Sequence, residues 1–138
     1  EEQQQYANSL KQMAIELGVE DNVIWLGRRS DVQDILPMAD VYVHPSRSEG
    51  LGSALLEASV AGLPLVGSRV GGILEIVQHG VNGLLVDADN AEQLANAIEQ
   101  VLTTKHDYGE KAREMVYRTF DQTKQASKLL DLYSIVTQ

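Results

Sequence analysis

Short runs rich in Val, Ile and Leu alternate with longer stretches of helical periodicity, and this alternation restricts the chain to few folds. Gln3 to Leu17 places Tyr6, Leu10, Met13, Ala14 and Leu17 at helical spacing, with Gly18 as a stop. Val23-Ile24-Trp25-Leu26 predicts a short strand closed by Gly27, and Val41-Tyr42-Val43-His44 a second one halted by Pro45. Between them, Asp31 to Met38 suits a short helix that starts near Asp31 and is ended or distorted by Pro37. Ser53 to Ala61 predicts a helix ended by Gly62, and Leu65-Val66-Gly67 a strand. Gly71-Gly72 marks a turn before a short helix from Ile73 to Val77, and Asn82-Gly83 a turn before the strand Leu84-Leu85-Val86. Asn90 caps a helix running to about Leu102, and two more helices are expected near Tyr108–Thr119 and Gln122–Val136.

Strands that alternate with helices imply an α/β fold, with a parallel sheet and right-handed crossovers. These strands are nearly all apolar, as strands covered on both faces should be. The expectation is a Rossmann-like parallel sheet flanked by helices. No repeat, low-complexity tract or linker interrupts the 138 residues, a length that suits a single domain. A first residue other than Met, opening straight into a helix, reads as a piece of a longer chain.

In an open parallel sheet, ligands bind outside the carboxyl ends of the strands. That rule selects three loops, Gly27 to Ser30, Pro45 to Ser53 and Gly67 to Gly72. The net charge of −9 argues against a nucleic-acid partner, which usually meets a basic stripe. From Val19 to Gln100, however, the only cations are Arg28, Arg29, Arg47 and Arg69, and all four fall in or beside those loops. They read either as solubility charge or as one locally positive edge. With no cysteine, disulfides, thiolate metal sites and thiol catalysis are excluded. That composition suits a reducing, cytoplasmic compartment. No run approaches the roughly 20 apolar residues that cross a bilayer.

The segment from His44 to Gly62 carries the chemistry. A strand ends, a loop turns at Gly50 and Gly52, and a helix begins. Glycines there allow close backbone approach to a ligand and unusual dihedrals. The first amides of the helix lack internal partners and, with its dipole, favour an anion such as a diphosphate. An ordinary strand-to-helix turn has the same features. Glu49 would stand on the loop and Glu57 about 7 Å along the helix at 1.5 Å per residue. Both could face one cleft, where a carboxylate can accept hydrogen bonds from two sugar hydroxyls. Two glutamates near a helix are also commonly just solvated.

The order Pro45-Ser46, Glu49-Gly50-Leu51-Gly52, Glu57-Ala58 and Gly62-Leu63-Pro64 resembles the signature of the retaining glycosyltransferases called family 4, which include sucrose and mannosyl transferases. Trp25-Leu26-Gly27, Gly71-Gly72-Ile73-Leu74-Glu75 and His79-Gly80-Val81-Asn82-Gly83-Leu84-Leu85-Val86 resemble flanking elements of the same family, so the likeness runs from about residue 5 to 102. Leu51 stands where the family usually has Phe.

The resemblance implies a GT-B fold, of which residues 1–138 would be an incomplete C-terminal, nucleotide-sugar-binding domain, the N-terminal acceptor domain being absent. It assigns Glu57 to the ribose hydroxyls and Glu49 to the donor sugar as the catalytic residue. Gly50, Leu51, Gly52 and Ser53 would offer amides to the sugar and diphosphate, while Gly27 and Arg28 border the base. The family needs no metal ion or cofactor, so positive groups and the helix terminus must stabilise the leaving diphosphate. Its Arg and Lys that clamp the diphosphate would lie upstream of residue 1, so the 138 residues alone are expected to be inactive. Peripheral membrane contact would fall to the absent domain.

Other residues have plainer readings. His44, His79 and His106 read as structural or exposed, and His44, which borders the cleft, is the best of the three for a sugar contact. Glu75 reads as a local helix cap. Tyr108, Tyr117, Phe120 and Tyr133 read as packing for the last helices. The alternative functions are a non-catalytic Rossmann-like module that binds nucleotide or protein, and a GT-B relative with other sugar chemistry such as epimerisation.

Overall fold

The apolar runs from Val41 onward pair as a parallel sheet, as their composition requires. The structure, a computed structural model, describes residues 2–120, with side chains from residue 4. The helix expected from Gln122 to Val136, and Tyr133 with it, lie outside the described residues. The chain divides into two units, residues 1–30 and 31–138.

The first unit holds helix α1 (Glu2–Glu16), a 3-10 turn (Glu20–Asn22) and an extended segment. Gly18 takes a left-handed φ of 65°, and its amide bonds to Ile15 O, closing the helix as expected. The expected helix is present, with Tyr6, Met13 and Leu17 exposed and, among the described residues of this unit, only Ala14 buried. One expectation fails here. Val23 to Leu26 is not a hydrogen-bonded strand, because no other strand stands in this unit to pair with it.

In the second unit, Val32–Ile35 forms helix α2 and tightens at Pro37 into a 3-10 turn (Leu36–Met38). The missing proline N–H forbids a further α turn at that point. Strand β1 (Tyr42–His44) is followed by helix α3 (Ser53–Ala61), β2 (Leu65–Ser68), the one-turn helix α4 (Ile73–Ile76) and β3 (Gly83–Val86). Helices α5 (Ala91–Thr103) and α6 (Tyr108–Thr119) complete the described residues. The sheet order is β1-β2-β3, parallel throughout, with Val43 opposite Val66 and Val66 opposite Leu84.

Side chains alternate across the sheet and feed two cores. Leu65 and Leu85 pack with Leu55 and Ala58 of α3, Ile73 and Ile76 of α4, and Ala112, Met115 and Val116 of α6. Val66, Leu84 and Val86 point the other way, to Ala97 and Val101 of α5, with Val41 and Val43 beside them. Both faces are thus covered, which explains why β2 and β3 are buried at every position. Burying one side chain such as Leu55 stabilises by about 1.5–3 kcal/mol.

Polar contacts finish the elements. Asn90 Oδ1 accepts from the Gln93 amide at 2.9 Å and caps α5 as expected. Asn82, read as a turn residue, is in fact buried: its Oδ1 accepts from Gln78 N at 2.7 Å and its Nδ2 donates to Ile76 O at 2.8 Å. His79 and His106 are structural. His79 Nδ1 accepts from Leu85 N, and His106 Nε2 donates to Val101 O. Tyr108 and Phe120 pack on the two cores, but Tyr117 is exposed, on the outer side of α6.

Helix α6 packs against α3, with its first turn at the end of α3. Arg113 donates to Val60 O at 3.0 Å and Ala61 O at 2.9 Å, satisfying carbonyls at the end of α3. A Cβ on Gly109 would stand 2.0 Å from Gly62 O. Alanine gains up to about 1 kcal/mol over glycine in a helix, but forcing a methyl against backbone costs about 1–3 kcal/mol. Gly109→Ala is therefore expected to lower Tm in a thermal melt followed by circular dichroism; a raised Tm would show that α3 and α6 are not in this contact.

Candidate functional site

The carboxyl ends of β1 and β2 leave the sheet side by side, and glycines let their loops touch. Gly72 N donates to Glu49 O at 3.1 Å. A Cβ on Gly71 would lie 2.0 Å from Glu49 O, and one on Gly72 would lie 2.0 Å from Gly50 O. The pair read as a simple turn is therefore also a seat for the Glu49-Gly50 backbone. Only residues without a side chain permit this approach.

Beyond that seat the chain must reverse into α3. Gly52 does so at φ 76°, ψ 45°, a left-handed conformation that is costly for residues with a Cβ. Its α-carbon is enclosed by Leu55 and Ile76. The expectation of unusual dihedrals holds for Gly52 alone: Gly50 has no positive φ, and its α-carbon faces open space. Helix α3 begins at Ser53 and ends at Gly62 (φ 80°), the bounds expected from the sequence. The amides of Leu55 and Leu56 return to Gly52 O, while those of Ser53 and Ala54 precede the first intrahelical bond. Leu51 and Ser53 are exposed at this opening.

Glu49 turns inward over the loop. Its Oε2 lies 2.8 Å from His44 Nε2 at the end of β1, and its Oε1 accepts from Gly52 N at 3.2 Å. The Gly52 amide, expected to face a ligand, is thus engaged by Glu49. The histidine hydrogen bond holds the Glu49 carboxyl below its ordinary range, aided by the Gly52 amide and opposed by partial burial. Tyr42, two residues before His44 on the same face of β1, stacks its ring 6.0 Å from the imidazole at 22°. Its hydroxyl reaches to 3.4 Å from His44 Nδ1. Glu57 is exposed in the second turn of α3. Burial raises the Tyr42 phenol first, then the charge of Glu57, then that of Glu49. The charges of both carboxylates therefore reach one phenol.

Of the four arginines, Arg47 and Arg69 each stand beside an aspartate. Arg47 Nε meets Asp89 Oδ1 at 2.6 Å, and Arg69 Nε stands 3.8 Å from Asp87 Oδ1. Both aspartates come from the loop after β3, which the sequence reading passed over although it too leaves a carboxyl end. Asp89 marks that loop structurally, with a positive φ of 61°. The pairs are solvent-exposed and contribute at most about 1 kcal/mol each, so the glycine contacts hold the loops and the ion pairs only set their charge. Gly27, at φ 63°, and exposed Arg28 belong to the first unit. Glu75 is exposed in the first turn of α4.

Residues 3–122 match the family model described as glycosyl transferases group 1. This chain belongs to that family. Among curated relatives, it is 36% identical over 128 residues to an N-acetyl-alpha-D-glucosaminyl L-malate synthase of Bacillus anthracis, covering 91% of this chain and 34% of that protein. It is 34% identical over 140 residues to a GDP-mannose-dependent alpha-(1-6)-phosphatidylinositol monomannoside mannosyltransferase of Mycobacterium tuberculosis, covering 91% and 36%. Among solved structures, Anabaena HepE in complex with UDP and glucose superposes with a TM-score of 0.89 at 30% identity, over 95% of this chain and 37% of that one. The chain thus spans about a third of the length of these relatives. Its fold is that of the GT-B glycosyltransferases, an open parallel sheet flanked by helices.

The lowered carboxyl of Glu49 fixes the sign of a pH effect. A depressed folded-state value stabilises above the ordinary value of 4.5, and that contribution is lost as pH falls through the lowered midpoint. Carbon-13 NMR of the Glu49 carboxyl is expected to show its midpoint below 4.5. Gly72→Ala, which must displace the Glu49-Gly50 backbone, is expected to bring that midpoint back up; an unmoved midpoint would separate the glycine seat from the His44 contact.

Proposed function

We propose that this chain is the donor-binding part of a retaining glycosyltransferase of the family 4 type, and that it grips a nucleotide diphosphate sugar at the mouth of β1. The observation that carries the reading is the Glu49 carboxylate, held between His44 Nε2 and the Gly52 amide at the residue before α3, with Glu57 in the second turn of that helix. On this reading residues 1–138 are part of the C-terminal domain, and a facing domain supplies the acceptor, whether glycan, lipid or small molecule. HepE in complex with UDP and glucose, 30% identical, supports a nucleotide sugar as the ligand.

Each residue then has a task. Glu57 accepts the ribose hydroxyls, a use that suits an exposed carboxylate near a helix start. Glu49, kept ionised by His44 and Gly52, faces the donor sugar and positions it for transfer. The open amides at Ser53 and Ala54 and the backbone of Gly50 and Leu51 meet the sugar and diphosphate, with a helix-dipole gain of about 0.3–1 kcal/mol, up to about 2 when partly buried. The transfer needs no metal ion, the leaving diphosphate being stabilised by amides and cations. The protein works in the cytoplasm, with membrane contact through the facing domain. None of its described helices is long and apolar enough to cross a membrane.

Titration of the chain with UDP, GDP and ADP tests this reading. Charged hydrogen bonds are worth about 1.5–3 kcal/mol, so Glu57→Ala is expected to weaken the preferred nucleotide by roughly ten- to a hundredfold. An affinity unchanged by Glu57→Ala would remove the ribose role and with it the proposed site.

A further inference from the structure

His44 is, from the sequence, the best of the three histidines for a sugar contact, yet in the structure both of its ring nitrogens face side chains of this chain. Nε2 lies 2.8 Å from Glu49 Oε2 and 3.4 Å from Ser46 Oγ, while Nδ1 lies 3.4 Å from the Tyr42 hydroxyl. Tyr42 and His44 are fixed by their register in β1, opposite Leu65 and Gly67 of the buried strand β2. The loop that carries Glu49 has no such frame beyond its glycine seat.

We propose that Tyr42 and His44 form a positioning relay, in which the imidazole holds the Glu49 carboxylate over the opening of α3 and the Tyr42 hydroxyl fixes which ring nitrogen carries the proton. The chemistry of the three groups sets the direction. An ionised carboxylate only accepts hydrogen bonds. Nε2 must therefore carry the proton, and it donates to Glu49. In the neutral ring Nδ1 is then the acceptor, and the Tyr42 hydroxyl is the donor within reach. Ser46 Oγ shares the Nε2 proton as a second, longer acceptor. The second oxygen of Glu49 is bonded to Gly52 N, so the carboxylate is held from two sides, one of them the residue just before α3. A side chain held this way loses little rotamer freedom when a ligand arrives, which is where preorganisation gains affinity. Relayed through β1, the rigid sheet sets the aim of a loop residue. The role of the held carboxylate toward a sugar rests on the donor-site reading above; the relay itself does not.

Two measurements on the 138-residue chain separate these claims. The first is nitrogen-15 NMR of the His44 ring at pH 8, above the ordinary imidazole range. The proton is expected on Nε2, with that preference weakened in Glu49→Gln and, by a smaller amount, in Tyr42→Phe, which keeps the stacked ring. A proton on Nδ1, or a preference indifferent to both substitutions, overturns the relay. The second is NMR titration of the best-bound nucleoside diphosphate and of its glucose or mannose conjugate. His44→Ala is expected to weaken the conjugate about tenfold while leaving the bare nucleotide unchanged. His44→Gln, whose Nε2 can donate from a similar place, is expected to restore most of the loss. Equal losses in the two variants, or equal losses for the two ligands, overturn the aiming of Glu49. A ring proton on Nε2 together with ligand binding that neither Glu57→Ala nor His44→Ala weakens would uphold the relay and overturn the donor site.

Discussion

Everything at the mouth of this sheet depends on one backbone approach, the seating of Glu49 and Gly50 on Gly71 and Gly72. The hydrogen bond from Gly72 N to Glu49 O is one bond, of net worth near 1 kcal/mol. Its structural leverage is larger. The approach is possible only because neither glycine has a Cβ, and it brings the exit loop of β1 against the exit loop of β2. From that point the chain has one residue, Leu51, before it must reverse at Gly52 and open α3. The side chain of Glu49 is consequently directed back toward His44 and the Gly52 amide. The exposed ion pairs of Arg47 and Arg69 could be lost with little effect on this arrangement, because solvent already screens them.

Much of the fold could be read from local signals. The apolar runs of β1, β2 and β3 named themselves, because strands sandwiched between helices have no polar face to confuse the pattern. Gly62 and Asn90 gave the end of α3 and the start of α5 to within a residue, since a left-handed C-cap and a side-chain N-cap are properties of single residues. The segment from Val23 to Leu26 misled for the opposite reason. Its composition is that of a strand, but a strand exists only through a neighbour, and pairing is not a local property. The exposed Tyr6, Met13 and Leu17 follow the same logic, as helical spacing shows where an apolar face lies and not whether anything covers it.

The site was legible as a motif and not as a network. Spacing put Glu49 on a loop and Glu57 on a helix, and the family likeness supplied their roles. Nothing in the spacing indicated that His44 would hold Glu49, that the Gly52 amide would be engaged by the same carboxylate, or that Tyr42 would sit where both acidic charges act. Those contacts arise from β-strand alternation, which puts residues 42 and 44 on one face, combined with a loop path fixed by glycines that lie up to about 75 Å of extended chain away in sequence and touch in space. Asn82 is the same kind of case, a turn residue by type whose side chain is buried in the end of α4.

The electrostatics of this edge bear on what a donor would need. Among the described residues of the second unit, the two arginines at the strand ends each face an aspartate, and the two glutamates add negative charge at the opening of α3. A diphosphate brought here meets carboxylates before it meets a free cation. The amides that open α3 offer about 0.3–1 kcal/mol through the helix dipole, up to about 2 in a partly buried geometry. Repulsion between unit charges 4 Å apart is already about 4 kcal/mol at an effective dielectric of 20. The helix terminus alone therefore does not offset two neighbouring carboxylates. Under the donor-site reading, Glu49 and Glu57 recognise hydroxyls and not phosphate, and the balancing cations come from beyond this unit.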